Sequence, residues 1–223
     1  MRHLGVLVGA ATIGLASCSP SGHLSALENA RIAPQNVSLQ TSTGLYQPMA
    51  VGARWKYTCR DIKGGGENGG NPFTIEDKVI GATTVGNVKV FEYARQAPQV
   101  PSAPLKIVTT VMLLGNEAHG DLWIYGYRKG NTIFKVRPTR IISDATPRQG
   151  TKFNYPGPTG KIVPRFFFGI VPTNPTPLGT FTVADYEESG NTHDYGYARG
   201  MGVAEEDHGP NFEVDCLIES FHL

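Results

Sequence analysis

The chain has 223 residues, with 20 basic and 19 acidic side chains, 27 glycines and 16 prolines. A net charge of +1 leaves no excess of basic residues to hold nucleic acid or to coat an anionic bilayer. Glycine and proline at this density, with few stretches of helical period, point to an all-β chain of short strands and many turns.

The chain opens Met1-Arg2-His3, runs through apolar and small residues from Leu4 to Leu15, and reaches Leu15-Ala16-Ser17-Cys18. A basic start, a short apolar run and a small-residue cleavage site make a secretory signal. The run is too short for a transmembrane helix, which needs roughly 20 apolar residues. Leu15-Ala16-Ser17-Cys18 resembles the lipobox of bacterial lipoproteins, and the resemblance covers residues 1–18. It implies that the Cys18 sulfur receives diacylglycerol, that residues 1–17 are removed, and that fatty acid such as palmitate is added to the new amine. Two or three acyl chains, at about 0.8 kcal/mol per buried methylene, make a stable anchor. Ser19, where lipoproteins kept in the inner membrane usually carry Asp, implies the outer membrane, facing the periplasm. Loss of Arg2 with the signal leaves 19 basic against 19 acidic residues, a neutral mature chain.

Residues 18–47 are polar and small, and read as a flexible tether with a span of roughly 30 Å. The folded domain is expected over residues 48–223. Its first strand, residues 51–59, places Trp55, Tyr57 and Cys59 on one face and Arg54, Lys56 and Thr58 on the other. Residues 63–71 form a Gly/Asn-rich loop without the Gly-Lys-Ser/Thr ending of a phosphate-binding loop. Residues 73–85 and 88–95 make a hairpin about Gly86-Asn87. A proline loop, 97–104, leads to an apolar strand at 105–114. Residues 120–128 and 132–137 make a second hairpin, with Trp123, Tyr125 and Tyr127 on one face as core. Residues 144–160 are turn-rich. A strand over 161–171 carries Phe166-Phe167-Phe168, and a proline loop, 173–177, follows. Strands at 181–188, 192–203 and 211–222 complete about eight to ten strands. The expected architecture is one curved antiparallel sheet or half-barrel-like meander with little helix.

With Cys18 assigned to lipid, Cys59 and Cys216 remain as a pair in an oxidising compartment. Phe212, Val214, Cys216 and Ile218 share an apolar face, as Trp55, Tyr57 and Cys59 do. A Cys59–Cys216 disulfide joining the first and last strands is predicted, with two separate buried thiols as the alternative. The chain-entropy account gives about 5 kcal/mol as an upper bound for so long a loop.

No arrangement of residues announces catalysis, a metal or a cofactor. Glu205-Glu206-Asp207-His208 precedes Gly209-Pro210 and reads as a solvated turn, without the spacing of a calcium loop. His193-Asp194 is a second polar grouping, and His119 with Asp121 lacks a nearby nucleophile. Glu187 and Glu188 point to opposite faces of a strand and cannot flank one bond. Phe166, Phe167 and Phe168 put at least one aromatic ring on each face, which makes them a possible hydrophobic contact site.

Val51-Gly52-Ala53-Arg54-Trp55-Lys56-Tyr57 and Tyr195-Gly196-Tyr197-Ala198-Arg199-Gly200-Met201-Gly202-Val203 resemble the opening and closing patterns of an uncharacterised family of all-β periplasmic lipoproteins. Met201 stands where that pattern usually has Val. The resemblance implies curved antiparallel sheets, loosely similar to the half-barrels of lipoprotein carriers that hold acyl chains. The expected role is therefore non-enzymatic: a membrane-anchored protein binding a hydrophobic or lipid ligand on its curved sheet. The alternative is an interaction lipoprotein that docks another envelope protein. A binder needs an unfilled apolar pocket of several hundred Å³. A docking module shows a filled core and an exposed apolar patch.

Overall fold

The structure, a computed structural model, describes residues 45–61, 72–99, 105–117, 120–189, 193–209 and 213–223. The signal, Cys18, most of the tether, the glycine loop at 63–71, His119 and Phe212 lie outside the described residues. All described residues belong to one compact unit, Ile32–Leu223.

Twelve strands follow one another: β1 (Arg54–Asp61), β2 (Phe73–Val85), β3 (Val88–Gln99), β4 (Lys106–Asn116), β5 (Leu122–Lys129), β6 (Thr132–Ile142), β7 (Lys152–Pro156), β8 (Ile162–Thr176), β9 (Gly179–Glu188), β10 (His193–Ala198), β11 (Gly202–His208) and β12 (Val214–His222). They form one antiparallel sheet in the order β6-β5-β4-β3-β2-β1-β12-β11-β10-β9-β8-β7. Sequence neighbours therefore pair throughout, except β6 with β7, and β12 closes back on β1. The two edges nearly meet. The Arg140 guanidinium of β6 stands 5.4 Å from the Phe153 ring of β7, and the Tyr127 hydroxyl donates to the Pro156 carbonyl at 2.7 Å. The result is a nearly closed, barrel-like sheet, all-β as the composition indicates.

Three differences from the expected strands have local causes. Residues 192–203 are two strands, because Arg199, Gly200 and Met201 turn the chain, with Gly200 at φ +75°. The turn-rich stretch contains β7, a five-residue strand alternating outward Lys152 and Asn154 with inward Phe153 and Tyr155. The proline loop at 173–177 is mostly strand: β8 runs through it to Thr176 after a bulge between Val171 and Asn174. The aromatic stripe of β5 is also split. A bulge between Ile124 and Gly126 sends Tyr125 to a small outer cluster with Val90 and Leu113, flanked by Trp123, while Tyr127 joins the main core.

Inside the barrel the period of two delivers large rings from nearly every strand. Tyr186 lies 5.4 Å from Phe167 and 5.8 Å from both Phe153 and Tyr197, and Trp55 lies 5.7 Å from Tyr93. Cys59 and Cys216 face one another across the β1–β12 ladder and form the predicted disulfide, tying the first strand to the last.

The two end motifs meet in space. The Trp55 indole N–H donates to the Met201 carbonyl, and the Tyr57 hydroxyl donates to the Val203 carbonyl at 3.3 Å. Gly202 has φ +109°, and a Cβ there would fall 2.8 Å from Gln47 Oε1 and 2.9 Å from Trp55 Nε1. The motif is thus a clasp that needs glycine for both backbone conformation and clearance. Tyr46 and Gln47 are buried at this clasp, and the Gly200 N–H donates to the Leu45 carbonyl at 2.9 Å. The chain therefore packs against the barrel before its first strand begins.

Candidate functional site

The unusual chemistry lies on the two faces of β9–β12. Alternation along β9, β10 and β11 turns Glu188, His193, Tyr195, Glu206 and His208 inward, where Arg95 of β3 and Arg165 of β8 meet them. Arg165 Nη2 lies 2.7 Å from Glu188 Oε1, and Arg95 pairs with Glu206. The second oxygen of each carboxylate lies near a histidine: Glu188 Oε2 is 3.4 Å from His193 Nδ1, and Glu206 Oε1 is 3.2 Å from His208 Nε2. Both guanidinium groups also stand over the Tyr195 ring, at 4.5 and 4.6 Å from its centroid. His193 and His208 meet edge to face with ring centroids 5.1 Å apart.

Partners decide the ionisation here. Burial pushes the Glu206 carboxyl up, but Arg95 and then His208 outweigh it and hold its pKa at about 2. Burial likewise opposes Glu188, and Arg165 with His193 keeps it below its ordinary value. Burial, with His208 and Arg95, lowers His193 to about 4 against the pull of Glu188. Asp77 of β2 accepts from the Tyr93 hydroxyl at 2.5 Å, and burial and the nearby Glu206 charge raise it to about 7. Glu188 and Glu206 are thus buried as ion pairs with Arg165 and Arg95, while Asp77 is held by hydrogen bonds.

The outer face is different. Cross-strand register sets Glu187, Asp194, Asp207 and Asp215 in one row, with Arg60 of β1 beyond Asp215. In the next row Asp185 and Glu205 flank Gly196. The bulged end of β8 curls over this face, and buried Asn174 donates to Glu205. Gly196 makes room, since a Cβ there would lie 3.2 Å from Val183 and 3.4 Å from Asn174 Nδ2. The cavity left between them, about 250 Å³, is lined by Asp185, Asp194, Glu205 and Asp207 together with Val171 and Pro175. Burial first, and neighbouring carboxylates second, raise Asp207 to about 9. Burial and a hydrogen bond with Asp194 raise Asp185 to about 9, and burial raises Glu205 to about 7 against the Asn174 hydrogen bond.

Among the described residues, two groups of side chains have metal-ligand types close together. In Glu206, His208 and Cys216 the sulfur is already in the disulfide, so it cannot serve as a thiolate. Glu205, Asp207 and Asp215 are carboxylates alone. The expectation that residues 205–208 form a solvated turn is corrected: they belong to β11, and Glu206 and His208 are fully buried. No local pattern in the sequence marks Arg95 or Asp77 as part of this network. Arg165 carried one signal, a charge at the inward phase of an aromatic strand.

The three phenylalanines separate as alternation requires. Phe167 is 2% exposed against Tyr186, while Phe168 is 55% exposed and Phe166 is half-buried beneath Lys152. Pairing with β7 ends at Phe166, so β8 continues from Phe168 as a sheet edge, with Ile170 and Val171 exposed beside it.

No family model matches the chain, and no curated protein matches it. Two solved structures are similar in chain trace. One is described as a "putative exported protein with YmcC-like fold" from Bacteroides fragilis, 12% identical, with TM-score 0.45 over 81% of this chain and 100% of that one. The other is a "putative lipoprotein" from Parabacteroides distasonis, 11% identical, with TM-score 0.42 over 80% of this chain and 99% of that one. At that level of similarity neither says what this chain binds or does.

Proposed function

We propose that the chain is an exported, lipid-anchored envelope protein, held through Cys18 at the outer membrane and facing the periplasm, that acts as a non-enzymatic docking module for another envelope protein. One observation carries the docking reading: large side chains fill the interior, while Phe168, Ile170 and Val171 stand exposed where β8 pairs with β9 on one edge and, among the described residues, with no strand on the other. A contiguous exposed apolar patch beside a free sheet edge is what a protein partner covers, by packing or by adding a strand. The lipid-binding alternative finds less support. The concave side is occupied by Trp55, Tyr57, Tyr186 and the arginine–glutamate pairs, and the cavity of about 250 Å³ lies on the outer face, is small for an acyl chain and has four acidic side chains in its lining.

The test uses the full chain in its host. A photo-crosslinking residue at position 168 should give one discrete adduct with a second envelope protein, and position 80, equally exposed on β2, should not. Ile170→Asp should abolish that adduct. Identical adducts from both positions, or an adduct of twice the chain mass, would overturn the docking reading. Cys18→Ser should release the protein from the membrane fraction, and continued membrane attachment would overturn the anchor.

A further inference from the structure

We propose that Cys59 and Cys216, before they are oxidised to the disulfide, form with His208 and Glu206 a buried site for a thiophilic divalent metal ion of the zinc class.

The sheet register builds the donor set. Cys59 of β1, Cys216 of β12 and Glu206 of β11 stand directly opposite one another on three neighbouring strands, and His208 follows Glu206 on the same face. All four side chains are fully buried. One donor atom from each of Glu206, His208 and Cys216 lies within 4.8 Å of the other two. Donors around a tetrahedral zinc-class ion stand roughly 3.5 Å apart, so small side-chain rotations bring these three onto one ion. Cys59, bonded to Cys216, brings a second sulfur to the same place. The disulfide-bonded state leaves the other two donors incompletely used. His208 Nε2 approaches Glu206 Oε1 at 3.2 Å without hydrogen-bond alignment, and His208 Nδ1 has no hydrogen-bond partner among the described residues. Buried polar atoms in that condition are uncommon and costly.

The charges close as well. Arg95 holds Oε2 of Glu206 and leaves Oε1 for the ion. A divalent ion and Arg95 oppose two thiolates and the Glu206 carboxylate, and His208 binds as neutral imidazole. The loaded interior is then as neutral as the disulfide-bonded one, where Arg95 and Glu206 cancel. Thiolate sulfur selects a zinc-class ion over calcium or magnesium. In the binding step each thiol loses its proton, each sulfur forms one bond to the metal, and two protons leave for solvent without electron transfer. Formation of the disulfide instead passes two electrons and two protons to a disulfide-class oxidant and closes the site. The metal-bound form therefore belongs to chain that folds before it is oxidised.

The test refolds the full chain from urea under a phosphine reductant, with cobalt(II) as a spectroscopic substitute for zinc. One cobalt per chain should bind with a thiolate-to-cobalt charge-transfer band, and the disulfide-bonded protein should show no band. Zinc should raise the Tm of the reduced chain by about 5 °C and leave the disulfide-bonded chain unchanged. His208→Gln should weaken cobalt binding at least about tenfold. X-ray absorption of the zinc-loaded wild-type chain, which needs no variant, should show two sulfur neighbours together with nitrogen or oxygen. Absence of the band, four sulfur neighbours from two chains sharing one ion, or unchanged affinity in a His208→Gln chain that folds would overturn the proposal. So would an equal rise in Tm for reduced and disulfide-bonded protein, since the ion would then sit away from the sulfurs, as on Glu205, Asp207 and Asp215. None of these readouts involves the docking surface of β8.

Discussion

Glu188 and Glu206 point inward from β9 and β11, and Asp185 and Asp207 point outward from the same two strands, three residues and one residue away. All four are removed from water to a large degree, yet the first pair is held below the usual carboxylate range and the second is pushed far above it. The inner acids have Arg165 and Arg95; the outer acids have one another. Burial alone therefore does not set the state of a carboxylate in this protein. The neighbour across the strand does, and strand alternation chooses that neighbour.

The contrast can be broken most severely from the inside. Arg165→Met should leave Glu188 buried without its cation and cost about 3–5 kcal/mol in urea denaturation. Glu188→Gln in that background should restore part of the loss. Equal destabilisation by the two variants would show that packing of Arg165 over Tyr155 and Tyr195, not the charge pair, matters. The inner face also carries the staple between the first and last strands. Replacing Cys59 and Cys216 by Ala should cost about 2–4 kcal/mol without changing the strand content seen by circular dichroism.

Acid sharpens the comparison from the other direction. His193 is lowered to about 4, so the unfolded chain binds its proton first, and the contribution of His193 to stability should fall as pH drops from 6.5 toward 4. His193→Gln should make that limb shallower by on the order of 1 kcal/mol, allowing for the ring's partial exposure. The smallest effect is expected at Phe168. Phe168→Asp should alter stability by no more than about 0.5 kcal/mol, and a larger loss in thermal denaturation would mean that the ring supports the fold instead of facing a partner.

Much of the barrel was legible because it rests on local rules. Gly86-Asn87 announces its hairpin, with Gly86 at φ +63°. The phases of Trp55, Tyr57 and Cys59, and of Cys216 and Ile218, put both sulfurs inside and in reach of one another. Phe167 inside with Phe168 outside follows from alternation alone. Residues 205–208 misled for a physical reason. Four consecutive polar residues before Gly-Pro are most readily solvated, and it takes Arg95, 111 residues away, together with His208 to make Glu206 tolerable inside. The bulge in β5 that separates Tyr125 from Tyr127 was equally hidden, because an extra residue changes facing without changing composition.

By itself the sequence determined the strand-rich class, the inward phase of each thiol and the aromatic positions of the core, since these depend on residue type and a period of two. Only the tertiary structure decided which strands became neighbours. Pairings such as Arg95 with Glu206, Trp55 with Met201 and Asp194 beside Asp207 arise from closure of the sheet and the register of its ladders. Charge state, clearance at Gly202 and exposure of Phe168 all follow from those long-range contacts, and no local pattern encodes them.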